Sequence, residues 1–146
     1  MVKKMEENIN ALDEIHKGAC MGIDAISFVM EKVKDDDLKS VLSDQYNDYN
    51  TVKEKIEDIY PKYNDGKPHE TSAMNKVKTW AGIEMKTMND ESNSKLAELL
   101  MQGVNMGIIE GRRILNKKCI NKEVEDILKE DVEMQEKIVE VLKKYL

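Results

Sequence analysis

Residues able to do acid–base, nucleophilic or metal chemistry are numerous in this chain, but they seldom gather. Carboxylates dominate, with 29 Asp and Glu against 23 Lys and Arg in 146 residues. Most are interleaved with bases, as Glu54 is with Lys53 and Lys55 and Glu136 with Lys137, the pattern of a solvated helical face. There are only two histidines, His16 and His69, and two cysteines, Cys20 and Cys119. Neither pair follows a zinc or haem spacing, and no Cys–His cluster exists to hold either group. No Ser or Cys stands in a nucleophile elbow, and no glycine-rich phosphate loop follows a strand. Ordinary hydrolytic and nucleotide chemistry therefore has no constellation to work from.

The elements that must position these groups are helices. Met5, Ile9, Leu12, His16, Ala19, Ile23, Ile26, Met30 and Val33 recur in alternating steps of four and three. That heptad seam predicts a first helix over about 5–34. Asp35-Asp36-Asp37 supplies an N-cap and favourable charge for a second helix. Its seam is Leu38, Leu42, Gln45, Tyr49, Val52, Ile56, Ile59 and Tyr63, and so short a turn forces an antiparallel hairpin. Both prolines fall in the linker at 61–72, followed by an amphipathic stretch with Met74, Val77, Trp80, Ala81, Met85 and Met88. The polar run at 89–94 breaks it. A further helix over about 94–118 carries Ala97, Met101, Val104, Ile108, Gly111 and Leu115, and Asn121 can cap a last one bearing Val124, Ile127, Leu128, Ile138, Val141, Leu142 and Tyr145.

The composition agrees, with 36% charged, 40% hydrophobic and 5% aromatic residues suiting long amphipathic helices. A net charge of −6 with interleaved signs disfavours nucleic acid and anionic membranes. No apolar run approaches the roughly 20 residues that span a bilayer. The opening MVKKMEENIN has no apolar h-region behind its lysines, and the expected location is the cytoplasm.

An internal repeat groups the helices. GACMGI at 18–23 recurs as GVNMGI at 103–108, an offset of 85. At an offset of 86, Leu38 meets Val124, Val41 meets Ile127, Leu42 meets Leu128, Val52 meets Ile138 and Ile56 meets Leu142. The expectation is one all-α domain over 1–146: hairpin 5–63, a long, partly helical crossover over 61–93, and hairpin 94–146. Through the G-x-x-M-G-I element and the crossover around Lys78-Thr79-Trp80, the chain resembles an uncharacterised ferritin-like four-helix-bundle family of clostridial-type bacteria.

That resemblance implies where a di-metal centre would lie. Ferritin-like di-iron proteins set one Glu on each of two helices and a Glu-x-x-His on each of the other two. The corresponding pairs here are Gln45 with Asp48 and Asp131 with Met134, while the other two helices offer Gly22-Ile23 and Gly107-Ile108. None of the expected Glu or His ligands is present. No cofactor is expected, and Gln45, Asp48 and Asp131, joined by Asp24 in an iron-handling reading, leave room only for one loosely held cation. Otherwise these three form a buried polar cluster satisfying one another or trapped water. His16, on the apolar seam, reads as a hydrogen-bonded core histidine, and His69 as solvated.

Glycine inside a helix costs up to about 1 kcal/mol relative to alanine. Gly18 and Gly22, and Gly103, Gly107 and Gly111, stand four apart and stack along one face. Tight helix packing is the first explanation, and an open groove for a ligand or a strip for a second subunit the other. Met21 and Met106 point off the seams and, with Trp80, Met85 and Met88, make an outer apolar surface shared between the crossover and a homodimer partner. The function expected is non-catalytic, through binding or self-association. The alternatives are divergent metal binding and an adaptor presenting its glycine and methionine face to a partner helix.

Overall fold

The computed structural model describes residues 2–70 and 72–146. Among them there are five α-helices and no strand: α1 (Val2–Met30), α2 (Asp36–Ile59), α3 (Ala73–Lys86), α4 (Asn93–Lys117) and α5 (Lys122–Leu142), with 3-10 turns at Tyr60–Lys62 and Lys143–Tyr145. The first helix begins before Met5 and ends four residues short of Lys34.

Local chemistry accounts for the helix ends. Asp35 accepts a hydrogen bond from the Leu38 N–H at 2.9 Å, Ser72 caps α3 through the Asn75 N–H, and Ser92 caps α4 through the Lys95 N–H. Lys118 closes α4 in the left-handed region at φ 53°, an uncommon conformation for a residue with a Cβ. Asn121 occupies the N-cap position of α5, but its side chain makes no capping bond. Instead its backbone N–H donates to Asn8 Oδ1 of α1 at 2.8 Å.

Contacts between helix ends define the topology. The start of α1 meets the α4–α5 turn at Asn8 and Asn121, so α1 and α4 are antiparallel. The end of α2 meets the start of α5, with Lys62 and Tyr63 both on Glu123, while Tyr145 donates to Asp37 at the other end. The four long helices thus run up, down, down and up. The 61–92 crossover returns along α1: His69 lies at the level of Asp13 and His16, Lys76 pairs with Asp24, and Lys32 pairs with Glu84 and Glu91.

The core falls into two apolar clusters. One is built from residues such as Ile26, Val29, Leu42, Leu96, Leu100 and Leu142, and the other from Leu12, Ile15, Val52, Ile56, Val124 and Leu128. Seam position Met5 is exposed, and the seam enters the core at Leu12. Gln45, Asp131 and Gln135 are buried in neither cluster.

Helix α3 packs on α1 in an unusual sense. Ile83 is its only buried residue, while Met74, Val77, Trp80 and Met85 are exposed. Its apolar side chains face outward, and smaller positions such as Thr79 and Gly82 turn inward.

Candidate functional site

The principal concavity is a groove of about 630 Å³ between α1 and α4, bordered by α3 and floored by α2 and α5. The glycine spacing creates it. A Cβ on Gly18, Gly82 or Gly103 would meet no atom within 4 Å. Bare backbone at these positions faces open space, where larger side chains would fill the channel.

The deeper glycines do different work. A Cβ on Gly22 would lie 2.8 Å from the Tyr49 ring, one on Gly111 2.5 Å from Val132 Cγ2, and one on Gly107 would overlap Gln135 Oε1. Each admits a side chain of the hairpin partner helix. Tight packing therefore explains Gly22, Gly107 and Gly111, through side chains rather than backbone, and leaves Gly18 and Gly103 unexplained by packing. The structure divides the glycine series expected to act as one strip.

Four polar side chains line the groove floor. Gln45 and Tyr49 are one turn apart on α2, and Asp131 and Gln135 one turn apart on α5. The Tyr49 hydroxyl donates weakly to Gln135 Oε1 at 3.4 Å, and Gln135 Nε2 donates to Asp131 Oδ2 at 2.9 Å. Asp131 Oδ1 and the whole Gln45 amide make no hydrogen bond among the described residues, although these residues are only 5% and 4% exposed. Burial pushes the Asp131 carboxyl up to about 7, against the opposing hydrogen bond from Gln135. Burial, and then the charge of Asp131, push the Tyr49 phenol up as well.

Asp48 lies apart from this floor. It opens onto a separate surface groove between α2 and α5, beside Asp44 and Lys137. Burial followed by Asp44 repulsion raises its carboxyl, with Lys137 opposing. Of the three residues expected to cluster, Asp131 lines only the first groove, Asp48 only the second and Gln45 both, and the hydrogen-bond partner of Asp131 is Gln135. Asp24 pairs with Lys76 at 3.5 Å. Among the described residues no three His, Cys, Asp or Glu converge as a metal ligand set, so the donors do not fit the di-metal centre that the ferritin-like resemblance implies.

Tyr49 and Gln135 belong to the floor as well, beyond the polar residues the sequence points to. Their signal was the repeat itself, since the offset of 86 that aligns Gln45 with Asp131 also aligns Tyr49 with Gln135.

The apolar walls carry Met21 and Met106, 40% and 71% exposed. At the mouth stand Lys17, Lys78 and Lys86 with Glu14 and Glu110. The crossover shields one side of the channel and leaves the other open.

A second polar assembly ties the crossover to the bundle. The His16 ring is buried, with Nδ1 2.7 Å from the His69 carbonyl and Nε2 3.0 Å from Glu57 Oε1. Both partners are acceptors, so both ring nitrogens donate and the ring is an imidazolium. Burial opposes that charge, but the contacts with Cys20, Glu57 and the His69 carbonyl outweigh it and raise His16 to about 9. Asp13 Oδ1 accepts from both the His69 N–H and the Tyr60 hydroxyl. His69 is therefore held by its backbone while its side chain is exposed. Cys20 and Cys119 are free thiols.

No protein-family model, curated protein or solved structure matches this chain. Among the described residues no helix is long and apolar enough to cross a membrane.

Proposed function

We propose that this chain is a non-catalytic helical bundle of the ferritin-like type that acts by binding a ligand in the α1–α4 groove. The observation that carries the reading is that Gly18 of α1 and Gly103 of α4 both line the groove with no atom within 4 Å of an added Cβ, so packing requires neither glycine. Support for the two-hairpin repeat comes from the floor: Gly22 makes room for Tyr49 as Gly107 does for Gln135, at the positions the offsets pair. Binding is preferred to catalysis because no metal ligand set converges among the described residues, and because Cys20, 3.8 Å from His16 Nδ1, faces a ring nitrogen already engaged by the His69 carbonyl.

Titration with Nile red, a neutral apolar fluorophore, tests this. The wild-type protein should bind it with a blue-shifted emission, and a Gly18→Leu/Gly103→Leu variant that keeps its helical circular dichroism should not. Equal binding by both proteins, or none by the folded wild type, overturns the reading.

Self-association is a second reading, favoured by the outward face of α3. Met74, Val77 and Met85 follow helical spacing and are exposed, with Trp80 beside them and exposed Met88 just past the helix end. The proposed occupant of that face is the same face of a second copy, forming a homodimer. Sedimentation equilibrium should give a dimer for the wild type and a monomer for Val77→Glu/Met85→Glu, and a wild-type monomer throughout the concentration range rejects it.

A further inference from the structure

The polar floor of the groove specifies more than an apolar occupant. Among the described residues, Asp131 presents one oxygen held by Gln135 and one with no partner, and Gln45 on α2 presents an amide with none. Among the described residues no Lys, Arg or His pairs with Asp131. Buried polar groups are normally satisfied, and a buried carboxylate normally has a counter-ion. Both residues line the α1–α4 groove beneath its apolar walls, and Gln45 also borders the surface groove between α2 and α5.

Resting on the binding reading above, we propose that the groove takes an amphipathic small molecule with a protonated primary amine at one end. The ammonium sits against the free oxygen of Asp131 and the Gln45 carbonyl, and the apolar body lies between Gly18 and Met21 on one side and Gly103 and Met106 on the other. An ammonium has three donors, enough for Asp131 Oδ1, Gln45 Oε1 and the remaining lone pair of the Tyr49 hydroxyl. A neutral alcohol has one donor and leaves the others unmet. A carboxylate head would face Asp131 directly. It could meet only the lysines at the mouth, where water and salt weaken the attraction.

Calorimetric titration of the full chain at pH 8 with octylamine, octanol and octanoate separates these heads on one tail. Octylamine should bind one per chain and at least about tenfold more tightly than octanol, the difference between a charge-assisted and a neutral hydrogen bond. Hexylamine should bind about fourfold more weakly for each methylene removed. Asp131→Asn should weaken octylamine about tenfold or more while moving octanol less than threefold, and Gly103→Leu should weaken all three together.

Equal affinity for amine and alcohol, or tighter binding of octanoate, overturns the amine inference and leaves groove binding standing. So does failure of all three probes when Nile red still binds in a Gly103-dependent way. Failure of Nile red together with the three probes overturns both. Octylamine binding that Gly103→Leu leaves unchanged places the amine elsewhere and overturns the inference as well.

Discussion

Replacing glycines one at a time by alanine should split the series into two opposite classes. Gly18 and Gly103 are exposed, helical, and surrounded by no atom within 4 Å of an added Cβ. Alanine there loses less backbone entropy on folding and makes no clash, so each substitution should stabilise by about 0.8–1 kcal/mol. For a chain of this size that corresponds to a rise of about 2–4 °C in Tm per site. The two sites lie on different helices with no shared partner, so the double variant should gain nearly the sum. Gly111→Ala starts from the same propensity gain but drives a methyl to 2.5 Å from the stiff, β-branched Val132. Overpacking of that kind costs about 1–3 kcal/mol, so the net effect is a loss. Gly22→Ala meets the Tyr49 ring in the same way. Gly107→Ala meets the end of a flexible side chain, and its cost lies in moving Gln135 off Tyr49 and Asp131. Urea unfolding followed by circular dichroism reads all five. Destabilisation by Gly18→Ala and Gly103→Ala, equal to that by Gly111→Ala, would refute an open groove and mean that the two helices close on each other.

Three further predictions follow from the buried polar groups. The Asp131 carboxyl is raised from 3.8 to about 7, so the folded protein holds a proton that the unfolded chain releases, and its contribution to stability falls as pH rises between about 4 and 7. Asp131→Asn lacks that loss, and its advantage over wild type should grow across this window by on the order of 3–4 kcal/mol, which parallel stability–pH curves would contradict. His16 is raised from 6.5 to about 9, so its ion pair contributes fully below pH 6.5 and is lost as pH climbs through 9. With Glu57 partly solvated the loss should be on the order of 2 kcal/mol, and protease cleavage of the 61–72 segment should rise above pH 9 in wild type but be pH-independent there in His16→Gln. Asn8→Ala removes the acceptor for the Asn121 N–H and should cost about 1–2 kcal/mol by thermal or chemical unfolding; a change within 0.3 kcal/mol would show that this contact does not anchor the α4–α5 turn.

The helices were legible because their signals are local. Seam residues such as Leu12, Leu42 and Leu128 recur at helical spacing whatever packs on them, and Asp35 caps its helix through a residue three positions away. Glycine spacing is a different kind of signal. Gly18 and Gly22 look alike in sequence, but one faces a void and the other a Tyr49 ring, a distinction made by a separate helix. Helix α3 misleads for a related reason: its apolar side would be expected to face the bundle, yet Thr79 and Gly82 turn towards the α1–α4 channel while Met85 faces out. A bulky inward face on α3 would occupy that channel. The floor completes the argument. Leaving Gln45 and Asp131 Oδ1 buried without partners costs about 1–3 kcal/mol for each group, a cost that apolar residues at both positions would avoid. A chain that leaves glycines bare above such a floor, and turns the small side of its crossover towards it, has three separate departures from ideal packing in one place. Stability alone explains none of them. The proposed donor-bearing ligand would account for all three.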